Sequence, residues 1–268
     1  MDVRWGKIMN DIIHISLIEL VAAAGLVAIA AFISVVLKLR IEKDMAWGTL
    51  RTFLQLLAVG YILDWVFSVD RWYLVAAMLF LMVGTASYNA MRRQTVRFRG
   101  LTIRFIISIA FASAVGIFVG LGLIVRSRPL WDPQYMIPIG GMIIGNAMTS
   151  GALAVNRLYR EITSRRGEIE AALSLGASPH IASISAARAA VKAGMLPMIS
   201  TMMVVGIVHL PGMMTGQIIG GVEPGQAVRY QIVIMYILVT TNALSALAST
   251  LITRRLFFSK RAHLVLPE

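Results

Sequence analysis

The sequence predicts an all-α polytopic membrane protein, a transmembrane bundle of about seven spans, and three observations carry that prediction. Of the 268 residues, 58% are hydrophobic and only 14% charged, against about 45–50% apolar and about 25% charged in a soluble domain. The apolar residues are gathered into runs long enough to cross a bilayer as helices. The basic residues fall in the short segments between the runs, and they alternate between rich and poor segments.

A helix needs roughly 20 residues to cross the hydrocarbon core with its own backbone hydrogen bonds satisfied. Runs that meet or approach this length cover residues 12–37, 52–69, 72–90, 103–125, 137–155, 195–210 and 232–253. The first exceeds the usual signal-peptide apolar region of about 7–15 residues, and Asp2 and Asp11 precede it, so it is retained as a span. The fifth opens with Pro138, Gly140 and Gly141, which predicts a kink or an unwound turn near its start. The sixth is short and bounded by Pro197 and Pro211, and a broken or tilted helix is expected there. Trp5, Trp47, Trp65, Trp72 and Trp131 all fall near span ends, where an amphipathic ring suits the headgroup zone.

The loops set the orientation. Among the 25 basic residues only Arg4, Lys7, Arg71, Arg126, Arg128 and Arg229 fall on one side, mixed with acidic residues. The others follow spans one, three, five and seven, which predicts an outside N-terminus and a cytoplasmic C-terminus in the cell membrane. The same distribution accounts for the net charge of +12 without nucleic acid, because the charge lies in membrane-flanking loops rather than on one basic domain. There is no cysteine, which excludes disulfides, thiolate metal sites and cysteine catalysis.

The whole chain, residues 1–268, reads as a single transmembrane domain with a cytoplasmic loop at 156–194. In that loop Glu168 to Gly176 form a short helix with Ile169, Ala172 and Leu173 on one face and Gly176 as its C-cap. Ser178 is a good N-cap and Pro179 a good first-turn residue for a second helix through Ile181, Ile184, Arg188 and Val191. Such a knob could dock into a partner or lie against lipid headgroups. No Walker A sequence, HExxH, GxSxG or GxGxxG fingerprint occurs, so no catalytic residue is expected.

Glu170-Ala171-Ala172 followed by Gly176 resembles the cytoplasmic motif of ATP-binding cassette importer permeases. The Ile-x-Leu-Pro element of that motif is absent from its usual place, since Leu196-Pro197 lies much further on. A closer resemblance is to the UPF0014 family of permeases, which includes bacterial iron-export and plant aluminium-tolerance proteins. It is carried by Glu42-Lys43-Asp44, Ile137-Pro138-Ile139-Gly140-Gly141 with Gly145-Asn146, and Leu173-Ser174-Leu175-Gly176-Ala177-Ser178-Pro179. Leu210-Pro211-Gly212-Met213-Met214, Val222-Glu223-Pro224 and Tyr230-Gln231-Ile232 continue it in order. The resemblance implies a permease, working as two copies with two separate ATPase subunits. The coupling surface would be Glu168, Glu170, Ala171, Ala172, Gly176, Ser178 and Pro179, and Mg-ATP would be bound by the partner, with no cofactor in this chain.

Polar residues at membrane depth cost free energy and so mark candidate cargo contacts. Glu19, Asn146, His209, Met213 and Met214 together would offer mixed oxygen, nitrogen and sulfur donors to a transported metal ion. Gly141 with Gly145, and Gly212 with Gly216 and Gly220, read as stripes for close helix contact. Met195, Met198, Met202 and Met203 read as adaptable packing. Two other functions fit the same chain: an ion-coupled transporter with Glu19 as proton carrier, and a membrane scaffold without transport.

Overall fold

The computed structural model describes residues 16–95, 100–125, 129, 131–259 and 261–266. Its helices are α1 (Leu17–Val36), α2 (Glu42–Val69), α3 (Trp72–Arg92), α4 (Leu101–Ile117), α5 (Pro133–Ser164), α6 (Arg166–Ser174), α7 (Pro179–Ala182), α8 (Ile184–Val204), α9 (Gly212–Ile219) and α10 (Pro224–Arg254). A π-helical stretch, Phe118–Val125, continues α4, and a 3₁₀ turn, Arg255–Phe257, ends α10. Six helices are long and apolar enough to cross a bilayer: α1, α2, α3, α4 with its π-helical extension, α5, and α10 with its 3₁₀ turn. The remaining expected span corresponds to α8, which ends at Val204 rather than at Leu210 and carries Arg188 and Lys192 in its first half.

The chain divides into two compact units. One holds the described residues up to Asp70 together with Ile219–Gly221, and within it α1 packs on α2. The other holds Arg71–Ile218 and Val222–Glu268, and there α10 packs against α4, α5 and α8 while α3 packs against α4 and α5. Three apolar clusters hold this second unit. Phe105, Ile109, Ile144 and Val155 join α3, α4 and α5; Leu121, Ile139, Ile143, Met198, Ile234 and Ile237 join α4, α5, α8 and α10. The third, Leu158, Ile162, Ile169, Ala186, Ala190 and Phe257, gathers the ends of α5 and α10 with α6 and the start of α8.

No unwound turn occurs at Pro138, and the break expected in the sixth span falls after Val204. Pro138 lies inside α5 and Pro197 inside α8, and both helices run on without unwinding. Pro138 is the sixth residue of α5, so its missing donor falls near an end where few intrahelical bonds are lost. The break comes instead after Val204, where Gly206 takes a positive φ of 87° and its N–H donates to the carbonyl of His209 at 2.9 Å. That turn reverses the chain into α9 and fixes the position of His209.

Candidate functional site

The site begins with a close crossing of α5, α8 and α10. A side chain on Gly194 would bring its Cβ to 2.7 Å from the carbonyl oxygen of Ser150, so only hydrogen allows the helices this near. The Ser150 hydroxyl lies 2.9 Å from the carbonyls of both Gly194 and Asn242, and Ser245 donates to Ala147 O at 2.7 Å. These bonds tie three helices together at one level. Gly145, Gly212 and Gly216 play no such part, since a Cβ at any of them would meet nothing within 4 Å.

Beside the crossing lies a cavity of about 240 Å³ walled by α5, α8, the 205–211 turn, α9 and α10. It brings together three of the residues singled out in the sequence: Asn146, His209 and Met213. The Asn146 amide nitrogen donates to Met142 O one turn back at 2.9 Å. Met142, Met198, Met213 and Met235 place four thioethers on the wall, so Met198 belongs to this cavity as well as to the packing.

Two wall residues escaped the sequence reading. Gln231 and Asn242 are 7% and 4% exposed, and their side-chain oxygens, Oε1 and Oδ1, have no hydrogen-bond partner in the protein. A buried amide oxygen without a partner costs about 1–3 kcal/mol, and such groups are rare enough to need a reason. Asn242 sits in the middle of an expected span, and its depth alone was the available signal. The wall has no carboxylate, and no cluster of three His, Asp or Glu occurs among the described residues. The groups on offer are amides, hydroxyls, one imidazole and thioethers.

Of the other two singled-out residues, Glu19 belongs to the first unit and Met214 to the second. Glu19 occupies the first turn of α1, where Ser16 N–H donates to its carboxylate at 2.6 Å and Glu19 N–H donates to the Ser16 hydroxyl at 3.4 Å. This Ser-x-x-Glu capping box uses the carboxylate to satisfy a free backbone donor. The described helix therefore starts beside Glu19 rather than well before it, and residues 12–15 of the expected span lie outside the described residues. Met214 is buried and lines an adjoining cavity of about 560 Å³ with Met202, Val205 and Leu210, while Pro211, Gln231 and Met235 border both cavities. Met195 faces a third recess and Met203 is exposed, which divides the methionine stripe.

The segment between α5 and α8 is a knob with a buried root and an open tip. Ile169 is 2% exposed within the third cluster, and Ala172 and Leu173 are half-buried on the same face. Helix α6 ends in a complete Schellman motif: Gly176 has φ 89°, Gly176 N donates to Leu173 O, and Ala177 N donates to Ala172 O, both at 3.0 Å. Ser178 caps the next turn by accepting from Ile181 N at 3.4 Å, with Pro179 first in the turn. That turn stops after four residues because the Ser183 hydroxyl bonds back to Pro179 O at 2.6 Å, and the expected longer second helix is split into α7 and α8. The knob is thus narrower than residues 156–194, since α5 runs to Ser164 and α8 starts at Ile184.

Of the expected coupling residues, Glu168, Ala171, Gly176 and Ser178 are exposed, whereas Ala172 and Pro179 are half-buried. Glu170 is half-buried and pairs with Arg166 at 2.8 Å. At the tip Leu175 is 90% and Ile181 63% exposed, an apolar pair with nothing over it among the described residues. Behind the knob, Glu161 is nearly buried between Arg157 at 2.6 Å and Arg165 at 3.0 Å, which clamps the α5–α6 corner.

A family model described as "Uncharacterised protein family (UPF0014)" matches residues 17–258. The chain belongs to the UPF0014 family. Among UPF0014 relatives, the Escherichia coli protein named "Probable iron export permease protein FetB" is 36% identical over 251 residues, covering 93% of this chain and 95% of that one. The Synechocystis UPF0014 membrane protein slr1647 is 39% identical over 85% of this chain and 88% of its own length. The Arabidopsis thaliana protein ALUMINUM SENSITIVE 3 is 32% identical over 98% and 97%. No solved structure matches. UPF0014 membership and six bilayer-length apolar helices make this a multi-pass membrane protein.

Proposed function

We propose that this chain is the membrane-spanning subunit of an ATP-driven exporter of a metal ion, and that its cargo passes through the cavity bounded by Asn146, His209, Met213, Gln231 and Asn242. The observation that carries the reading is the pair of buried amide oxygens without partners on a wall that also holds an imidazole and thioethers. Neutral donors of this kind suit a divalent ion of borderline softness, and imidazole suits iron among others. Without a carboxylate the site holds its ion weakly, and transport requires that the ion leave again. The name of the Escherichia coli relative supports iron and the outward direction.

Energy would come from a separate cytoplasmic ATPase that binds Mg-ATP. Two permease copies and two ATPases would assemble, with the exposed tip at Leu175 and Ile181 seated on the ATPase and the basic loops in the cytoplasm. This chain would then do no covalent chemistry. Its work is to bind the ion, exclude water and pass on a mechanical push.

The test is ATP-dependent movement of Fe(II) in sealed vesicles holding this protein and its ATPase. Leu175→Asp with Ile181→Asp should abolish ATPase association and flux together. His209→Ala should leave association intact and lower flux at least tenfold. Flux that continues without any ATPase would favour an ion-coupled transporter, and ATP hydrolysis indifferent to metal would favour a scaffold.

A further inference from the structure

The third recess, remote in character from the cargo cavity, lies between α8 and α10 and has a volume of about 470 Å³. Its length is apolar: Ile184, Val191 and Ile199 on α8 face Leu247 and Leu251 on α10, and Leu247 and Leu251 are 45% and 38% exposed. One end is basic. Arg188 and Lys192 come from the start of α8, Arg254 from the end of α10, and His180 from α7. The two helices pack on one another, so the four groups sit at one end while the apolar wall runs about 10–16 Å further along, at 1.5 Å per helical residue.

Among the described residues nothing neutralises the charge at that end. No acidic side chain lines the recess, and among the described residues Arg188, Lys192 and Arg254 make no ion pair. The Arg254 guanidinium can only donate, so its 2.7 Å contact is a hydrogen bond to Nδ1 of His180, which leaves the ring's Nε2–H as a further donor. Thr250, with a buried hydroxyl that has no protein partner, also lines the groove. An apolar slot that ends in three cations and an imidazole complements a molecule with an anionic head and a hydrocarbon tail.

We propose that this groove binds an anionic phospholipid, with the phosphate held among Arg188, Lys192, Arg254 and His180 and an acyl chain laid along Val191, Ile199, Leu247 and Leu251. Basic recesses between spans at the membrane surface recognise anionic headgroups by charge, and the acyl chain replaces the contacts that α8 and α10 leave unfilled. The bound lipid links the root of the knob to the end of α10, because His180 and Arg254 meet across them.

The experiment counts lipids retained by the purified full chain from mixed micelles of phosphatidylglycerol and phosphatidylcholine in equal parts, by native mass spectrometry. The protein should keep phosphatidylglycerol in preference to phosphatidylcholine. Arg188→Gln with Lys192→Gln and Arg254→Gln should lower that preference at least tenfold, which is about 1.4 kcal/mol. Val191→Trp, which fills the slot with every charge in place, should displace the lipid as well. Lys38→Gln with Arg40→Gln and Lys43→Gln, in the α1–α2 loop, should change nothing. The proposal is overturned if the loop variant loses as much lipid as the groove variant, because the attraction is then diffuse. It is overturned equally if Val191→Trp retains the lipid, if glycerol phosphate without acyl chains displaces it at matching concentration, or if a lipid-free dimer dissociates on Val191→Trp.

Discussion

Asn242→Leu is expected to raise the stability of the protein while it abolishes transport. Asn242 is 4% exposed and its Oδ1 has no protein partner, so the folded state carries a buried polar group that leucine, of similar size, removes. The penalty for such a group is about 1–3 kcal/mol. The lower end of that range, about 1 kcal/mol, is the minimum relief expected. For chains of roughly this size that corresponds to a rise of about 2–4 °C in Tm. Tryptophan fluorescence during heating in detergent measures the first effect and ATP-dependent Fe(II) flux in vesicles the second. A residue kept only for packing would behave in the opposite way, with a lower Tm and flux that follows the amount of folded protein. Undiminished flux in a folded Asn242→Leu variant would refute the assignment of the cavity to the cargo path.

Three further substitutions probe the scaffold. Gly194→Val drives a Cβ to 2.7 Å from Ser150 O, and the forced separation of α5, α8 and α10 should cost about 1–3 kcal/mol, visible as a lower Tm and a broader gel-filtration peak. Glu161→Gln removes the carboxylate between Arg157 and Arg165, whose side chains are 51% and 41% exposed. Because both cations can return to water, the loss should be about 1 kcal/mol rather than the 3–5 kcal/mol of a sealed pair, and limited proteolysis at the α5–α6 corner should report it. Gly176→Ala places a side chain at φ 89° and should cost the knob about 1–2 kcal/mol. Faster protease cleavage near residue 176 with an unchanged Tm for the bundle would show that the strain stays local.

The apolar runs and the basic loops made the membrane class and the approximate span count legible without coordinates, because a bilayer imposes length and hydropathy on each helix separately. The cap of the knob was equally legible. Gly176, Ser178 and Pro179 act through bonds to residues a few positions away, and local chemistry survives any tertiary context. Glu19 shows what an apolar run leaves out: the run gives its depth, whereas Ser16 three residues earlier gives its carboxylate a local hydrogen-bond partner at the helix start.

The convergence of Asn146, His209 and Met213 with Gln231 and Asn242 was decided by tertiary structure alone. It depends on which side of α10 faces α5 and α8, and that rotation is set by the close approach at Gly194 and the Ser150 and Ser245 hydrogen bonds, contacts between residues 44 to 98 positions apart. A helix that is apolar all round announces that it is buried but not which face meets its neighbours. Met213 and Met214 show the same limit at the smallest scale: adjacent in sequence and alike in chemistry, they were separated into two cavities by the 100° that one residue turns along a helix.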